Sequence, residues 1–302
     1  MLKKKNIFAA IDIGSHNCRL LIAEKNDNFI KIIYNRSTVT NLIKNLSYNN
    51  EFTEENISKT LQCLRLFRKK IDQFNISNYR CVATEACRSV SNPEFLVNRA
   101  EVDINLKIDV ISSDEEARLC LISCKKYLND INEGFLFDIG GGSTETTFFK
   151  TKSLDYYTKS ISYGVINFPE KIEIFGNNYI KKKLQNHLRD FFNSFNSLNL
   201  NILTAIGSCS TVTTLCSIFQ ELPFYDSKKV EGFEMNYESV MKTIKKVENM
   251  SHNELRNHPC VKEKYKLFIN GIKIMSEIIQ IIPFKKLIVT QKGLRDAIIA
   301  EL

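Results

Sequence analysis

"FLFDIGGGSTE" (Phe135–Glu145) decides the fold. An apolar run ends at Asp138, and three consecutive glycines follow one residue later. Gly-Gly-Gly weakens a strand, because it costs backbone entropy and packs nothing. It makes sense where a ligand sits against the backbone just past a strand end. The same frame stands near the start, in "FAAIDIGSHNCRLLIAE" (Phe8–Glu24). Both stretches read apolar strand, acid, apolar residue, Gly, polar turn, second strand. Asp12 and Asp138 are the equivalent acids.

The elements around the two stretches repeat as well. Phe8–Ile13, Arg19–Glu24 and Phe29–Tyr34 read as a β-meander. The apolar spacing of Glu54–Phe74 is helical, with Thr53 as its N-cap. A strand at Arg80–Ala83, a helix opening at Asn92-Pro93, a strand at Ile108–Ile111 and a helix from Ser113 or Asp114 to about Leu128 follow. Then the order restarts, with strands at Phe135–Asp138, Thr144–Lys150 and Tyr156–Ile161. Helices at Gly164–Phe175 and Tyr179–Leu198 come next, then a strand at Ile202–Ile206 and a helix at Thr211–Phe219. Helices at Ser239–Glu248 and Tyr265–Ile281, a strand at Leu287–Thr290 and a helix at Leu294–Leu302 complete the chain. A matched motif followed by a matched order of elements points to duplication. The reading is an α/β chain of two domains, 1–125 and 126–292, with 293–302 returning to the first.

Composition bounds the class. The 302 residues are 43% hydrophobic and 25% charged, ordinary for a globular chain with a core. The net charge is +8. Short basic runs at Lys3–Lys5, Arg68–Lys70, Lys181–Lys183 and Lys285-Lys286 favour polyanionic partners, although a chain rich in Lys, Asn and Ile carries such runs from composition alone. Nine cysteines without a Cys-x-x-Cys read as reduced thiols in a cytosolic protein. The four histidines lack zinc-ligand spacing. Asp12 interrupts the first apolar run and no small-residue cleavage site follows, so a signal peptide is not expected. The uncharged stretch Phe191–Gln220 is too rich in Asn, Ser and Thr for a membrane span. The expectation is a soluble, cytoplasmic protein that engages neither DNA nor membrane.

The turns suggest the chemistry. Glycine lets successive N–H groups converge on one anion. Ser15, Asn17, Ser143 and Thr144 add side-chain donors. Asp12 and Asp138 would repel a bare phosphate, so they suit a phosphate with a cation beside it. Mg²⁺ bound through one or two carboxylates and phosphate oxygens fits. A third turn, in "AIGSCSTVTTL" (Ala205–Leu215), aims a helix N-terminus at an anion through Gly207 and Ser208. In "ISSDEEARL" (Ile111–Leu119), Asp114, Glu115 and Glu116 open a helix, where the dipole favours negative charge. Alternatively one of the two glutamates, which point about 100° apart, takes a proton from a water attacking phosphorus. In "VATEACRS", Arg88 follows a strand end, placed for phosphate or for a surface ion pair.

Together these residues resemble the exopolyphosphatase/guanosine pentaphosphate phosphohydrolase (Ppx/GppA) family of the actin, sugar-kinase and Hsp70 superfamily. The stretches "AAIDIGSHNCRLLIA", "VATEACRS", "ISSDEEARL", "FDIGGGSTE", "YGVINF", "AIGSCSTVTTL" and "QKGLRDAI" stand in the family's order and span nearly the whole chain. The resemblance implies a duplicated actin-like (ribonuclease H-like) fold with the active site in a cleft between its two domains. It implies Mg²⁺-dependent hydrolysis of a terminal phosphoanhydride, in inorganic polyphosphate or at the 5′ end of guanosine pentaphosphate. Glu116 corresponds to the catalytic base and Asp138 to the second catalytic acid. Gly14, Ser15, Asn17, Arg88, Gly140, Gly141, Gly142, Ser143, Gly207 and Ser208 would bind phosphate, and Asp12, Asp138 and Glu145 the metal. A homodimer is common in the family.

Several positions depart from the family pattern. His16 stands where Asn is commoner and Ser210 where Gly is usual. Gln291 replaces a frequent Asp, and "KYKLF" (Lys264–Phe268) an Arg-Ala-Asp stretch. The sequence ends at Leu302, where longer members continue into helical domains, which bears on the processing of long chains. The rival readings are an ATP-dependent kinase, an actin-like or chaperone-like nucleotide switch, and a degenerate phosphate-sensing relative. Neither the kinase nor the switch needs the glutamate of the "EEAR" stretch.

Overall fold

The computed structural model describes residues 6–26, 29–44, 50–152, 155–194 and 203–302. They divide into two compact units, Met1–Ser123 with Lys292–Leu302, and Cys124–Gln291. The first holds β1 (Ile7–Ile13), β2 (Asn17–Asn26), β3 (Phe29–Val39), α1 (Glu54–Gln73), β4 (Tyr79–Ala83), α2 (Glu85–Arg88), α3 (Pro93–Ile104), β5 (Asp109–Val110) and α4 (Ser113–Ser123). The second holds α5 (Lys125–Leu128), β6 (Glu133–Ile139), β7 (Thr144–Lys150), β8 (Asp155–Ile161), α6 (Asn167–Phe175), α7 (Asn177–Asn193), β9 (Thr204–Gly207), α8 (Ser210–Phe219), α9 (Ser227–Val230), β10 (Glu234–Asn236), α10 (Tyr237–Glu248), α11 (His252–Asn257), α12 (Tyr265–Ile281) and β11 (Lys286–Val289). The last helix, α13 (Leu294–Glu301), lies in the first unit.

The repeat read from the sequence is a repeat of topology. One sheet runs β3-β2-β1-β4-β5 and the other β8-β7-β6-β9-β11-β10. In each, an antiparallel meander gives the first three strands, and parallel strands extend the sheet past its first strand. Among the described residues, only β10, antiparallel to β11 at one edge, lacks a counterpart. This is the duplicated α/β architecture of the actin-like fold.

Local chemistry explains the boundaries. Thr53 caps α1 by accepting from Asn56 N at 3.2 Å, and Ile57, Leu61, Leu64, Phe67 and Ile71 are the buried stripe of that helix. The helix expected to run to Leu128 breaks after Ser123, whose hydroxyl donates to the Cys120 carbonyl at 2.6 Å. Serine competes in this way with the helical ladder. The helix expected from Gly164 begins at Asn167 instead, after a turn in which Val165 N donates to Gly140 O and Ile166 N to Gly141 O. Leu198 and Ile202, the expected ends of two elements, lie outside the described residues. The short elements α2, α9, β10 and α11 were not legible as periodicity.

Each unit has its own core. In the first, Leu294, Ala297, Ile298 and Ile299 of α13 pack with Leu119 of α4 and with Ala10, Leu21 and Val82 of the sheet. In the second, the Phe148 and Phe191 rings stack with centroids 4.5 Å apart beside Phe135 and Phe137. All nine cysteines are free thiols and buried. Among the described residues, no helix is long and apolar enough to cross a membrane.

Candidate active site

In the first unit, β1 delivers Asp12 to the strand end and Gly14–His16 turn into β2. Gly14 N donates to Asn17 O at 3.0 Å and closes the hairpin. The turn's carbonyls are held from behind by the segment after β3. Ser15 O accepts from Ile43 N at 3.4 Å, and His16 O from Thr40 N at 2.9 Å and Asn41 N at 3.0 Å. His16, the residue that departs from the family pattern, has Nδ1 2.6 Å from Asn41 Oδ1, and Asn41 sits at φ 52°. The substitution thus ties the turn to its backing segment.

Asp12 is buried and faces cations. Its register partner across the hairpin is Arg19, with Nη1 3.4 Å from its Oδ2. Arg295 on α13 donates to Leu20 O at 3.3 Å and Asn35 Oδ1 at 2.8 Å. Burial pulls the Arg295 guanidinium below the usual arginine range, and the Asp12 charge opposes that pull.

Arg88 and Glu116 meet. β4 lies parallel beside β1, with Ala83 opposite Ile13, so Thr84–Arg88 leave the sheet at the same end as the Gly14 turn. Arg88 Nη1 donates to Ile111 O at 2.8 Å. Its Nη2 reaches Glu116 Oε2 at 2.9 Å and Glu85 Oε2 at 3.3 Å. Glu115, one residue before, is committed to other cations. Arg118 hydrogen bonds first, then Arg80, hold its carboxyl below the usual range against the opposing effect of burial. Of the two glutamates, Glu116 is the one beside the strand-end arginine.

In the second unit, β6 delivers Asp138 and the turn Gly140–Ser143 leads into β7. Gly140 N donates to Ser143 O at 2.9 Å, matching the first hairpin. The carbonyls are again tied from behind. Gly140 O accepts from Val165 N at 3.0 Å, Gly141 O from Ile166 N at 2.9 Å, and Gly142 O from Asn167 Nδ2 at 2.7 Å. Asn167 Oδ1 accepts in turn from Gly164 N at 2.8 Å. A Cβ on Gly164 would overlap the Gly141 and Gly142 backbone, so only glycine lets this segment approach. With the carbonyls drawn to one side, Gly141, Gly142 and Ser143 donate no backbone hydrogen bond to any described residue. These are three successive N–H groups without an acceptor among the described residues, the kind of donor set that can receive an anion.

The third turn joins this edge. β9 is parallel to β6, with Gly207 opposite Phe137, and Ser208 N donates to Phe137 O at 3.1 Å. The α8 N-terminus has no side-chain cap. Burial, then the nearby Asp138 charge, push the Cys209 thiol up to about 12. Cys209 therefore stays a neutral thiol next to the acid. Ser210 and Gln291, the departures noted above, are both accommodated. Ser210 opens α8, while Gln291 Nε2 donates to Ser227 O at 2.6 Å and its Oε1 accepts from Tyr225 Oη at 3.1 Å.

The carboxylates suit a hard cation in one of the two hairpins. Asp138 and Glu145 are register partners, so both side chains leave one face of the sheet. Glu145 is buried and accepts from Ser160 Oγ at 2.8 Å. Oxygen donors from one or two carboxylates match Mg²⁺, which keeps waters and phosphate oxygens for its other positions. Among the described residues, no three His, Cys, Asp or Glu side chains cluster as a ready-made metal cage.

The sequence profile of the Ppx/GppA phosphatase family matches residues 21–302. The chain belongs to the Ppx/GppA phosphatase family. Members of this family hydrolyse phosphoanhydride bonds. A Ppx/GppA family member of Aquifex aeolicus superposes with a TM-score of 0.81 at 27% identity, covering 99% of this chain and 98% of that one. An exopolyphosphatase of Cytophaga hutchinsonii superposes with a TM-score of 0.79 over 96% of each chain; at 17% identity it shows the fold alone. A bifunctional 3-dehydroquinate synthase/phosphatase of Fusobacterium nucleatum is 30% identical over 308 residues. That match takes in 92% of this chain and 44% of the relative, so the chain spans less than half the length of this curated relative.

Some members of the arrangement were missed in the sequence. Arg19 could have been found, since pairing the hairpin around Gly14–His16 puts it opposite Asp12. Asn167 stood inside "YGVINF" without a role. Glu85 and Arg295 likewise stood inside "VATEACRS" and "QKGLRDAI" without a role, and Glu301 gave no signal, because a contact made over a long separation leaves no periodicity.

Proposed function

We propose that this protein is an Mg²⁺-dependent exopolyphosphatase that removes the terminal phosphate of inorganic polyphosphate. The observation that carries the reading is Glu116 held at 2.9 Å by Arg88 beyond the strand ends, with Glu115 occupied elsewhere. A carboxylate next to a phosphate-seeking guanidinium is placed to take a proton from water. The net charge of +8 favours a long polyanion as substrate.

In this reading the Gly141, Gly142 and Ser143 N–H groups of the Gly140–Ser143 turn, and the uncapped α8 N-terminus after Gly207-Ser208, bind phosphate oxygens. In the first hairpin, which Gly14 closes, the side chains of Ser15 and Asn17 are the phosphate donors. Arg88 binds an equatorial oxygen beside Glu116, which accepts the water proton. Asp138 and Glu145 would hold Mg²⁺, with Asp12 kept in its ion pair with Arg19. When bound, the metal neutralises charge on the phosphate oxygens and leaving group. Such catalysis is mainly positioning and electrostatics.

The test is phosphate release from polyphosphate, guanosine pentaphosphate and ATP, each with Mg²⁺ and with EDTA. The reading predicts Mg²⁺-dependent release, fastest from polyphosphate. Faster release from guanosine pentaphosphate would move the substrate to a nucleotide. Release from ATP alone would replace the reading with a nucleotide switch or kinase.

A further inference from the structure

An ion chain runs behind the base, and none of its members has a role in the chemistry above. Asp109 on β5 binds Arg80 on β4, with Nε to Oδ2 at 3.3 Å. Arg80 Nη1 reaches Glu115 Oε1 on α4 at 3.2 Å. Glu115 is also gripped by the Arg118 fork, Nε to Oε2 at 2.7 Å and Nη2 to Oε1 at 3.0 Å. The same guanidinium turns its other edge to Glu301 on α13, with Nη1 to Oε1 at 2.5 Å and Nη2 to Oε2 at 2.9 Å. One arginine thus makes two bidentate pairs, to a carboxylate on its own helix and to one 183 residues away.

The placement matters because of what lies beside it. Glu115 and Glu116 are consecutive in the first turn of α4 and project about 100° apart. Arg88 holds Glu116 on one side, and Arg80 with Arg118 hold Glu115 on the other. Behind them, α4 rests on α13 through Leu119, Leu294, Ala297 and Ile298. An apolar contact resists separation but is non-directional, so it does little to stop a helix from rolling. A forked pair on Glu115 and a charge-assisted bond on Glu116, about 100° apart, do stop it.

We propose that Arg118 and Glu301 are positioning residues that fix the roll of α4 and so set the Glu116 carboxylate. The proposal rests on the reading of Glu116 as base. The C-terminal helix thereby becomes part of the catalytic apparatus without touching substrate. Arginine is required for its fork, because lysine restores the charge but cannot grip two carboxylates in the plane. The Arg118 hydrogen bond also holds the Glu301 carboxyl below its usual range.

The test measures kcat and KM on polyphosphate, and melting temperature, for Arg118→Lys, Arg118→Met, Glu301→Gln, the Arg118→Met/Glu301→Gln double variant and Glu116→Gln. Misplacing a reacting group by about 1 Å costs on the order of 100-fold, and the partial loosening expected here is set at roughly 10-fold in kcat for either Arg118 variant. Glu301→Gln, near the chain end and the safest to fold, should lose about 3-fold. KM should stay within about 2-fold, because ground-state binding is untouched. The double variant should be no slower than Arg118→Met, since the two residues act through one bond. Lower melting temperatures with wild-type kcat per folded enzyme would reduce the pair to a structural role and overturn the proposal. Full activity in Arg118→Lys would overturn the fork argument. If Glu116→Gln collapses while the Arg118 and Glu301 variants keep wild-type kcat, this inference fails alone. If Glu116→Gln retains full turnover, the base assignment fails and the inference with it.

Discussion

The two hairpins share a frame and differ in charge. Each ends a first strand on an acid, closes with a Gly N–H to the carbonyl three residues on, and has its turn carbonyls tied back by the segment after the third strand. In the first hairpin the residue opposite the acid is Arg19; in the second it is Glu145. The first acid is neutralised in place, with Arg295 adding a further positive charge to its surroundings. The second has another carboxylate, Glu145, on its face. Duplication therefore supplied one backbone cradle twice, and the cross-strand residue divided the work. Under the proposed function, the cationic hairpin takes bare phosphate oxygens and the acidic one phosphate with a metal.

Asp138→Asn should break the comparison most severely. It removes half of the proposed metal-binding pair, so turnover should fall by about 100-fold or more and half-saturating Mg²⁺ should rise. A titration of phosphate release against Mg²⁺ reads both. A variant with wild-type Mg²⁺ dependence would place the metal elsewhere.

Gly164→Ala sharpens the comparison at the backing segment, where the second hairpin relies on a glycine and the first does not. The added Cβ meets Gly141 and Gly142 backbone, which cannot move aside as a side-chain tip would. The expected loss is about 1–3 kcal/mol in denaturant unfolding, with weaker polyphosphate binding. Unchanged stability would mean that the turn tolerates a looser backing.

Asp12→Asn should be milder. The Asp12–Arg19 pair spans 3.4 Å with the arginine half exposed, so it contributes at most about 1 kcal/mol. KM should change by a few-fold while Mg²⁺ dependence stays as in wild type. A shift in half-saturating Mg²⁺ as large as that of Asp138→Asn would erase the distinction between the hairpins.

The smallest effect concerns pH. Arg118 holds both Glu115 and Glu301 below the usual carboxyl range. Groups depressed on folding stabilise the protein above their unfolded pKa and lose that contribution as pH falls through the folded value. Arg118→Met should therefore lower the melting temperature near about pH 7 and progressively less below about pH 4, where the unfolded carboxyls protonate. A difference that grows in acid would contradict the sign.

Much of this was legible in the sequence for a physical reason. A strand that ends in an acid and glycines announces a ligand at the backbone, and two such strands in matched surroundings announce a duplicated fold. The helix-period stripe of α1 follows from local burial, and the continuous burial of Thr144–Lys150 suits a strand covered on both faces, so the bounds of both nearly coincide with the structure. What was not legible depends on long-range contact. The turn that precedes the helix at Asn167 is held on the Gly140–Gly142 carbonyls by the Val165 and Ile166 N–H groups and the Asn167 side chain, which no propensity encodes. The division of labour between Glu115 and Glu116 needed the positions of Arg80, Arg88 and Arg118. The neutralisation of Asp12 needed the register of its hairpin and the return of α13.

The most direct measurement is phosphate release from polyphosphate by Glu116→Gln, set beside Asp12→Asn and wild type at saturating Mg²⁺. Glutamine keeps the shape and a hydrogen bond to Arg88 but cannot accept the water proton. The account predicts a fall of about 10² to 10⁴ in kcat with KM nearly unchanged and a wild-type melting temperature. Full turnover in a folded Glu116→Gln protein would contradict the assignment of the base and, with it, the role proposed for the helix that carries it.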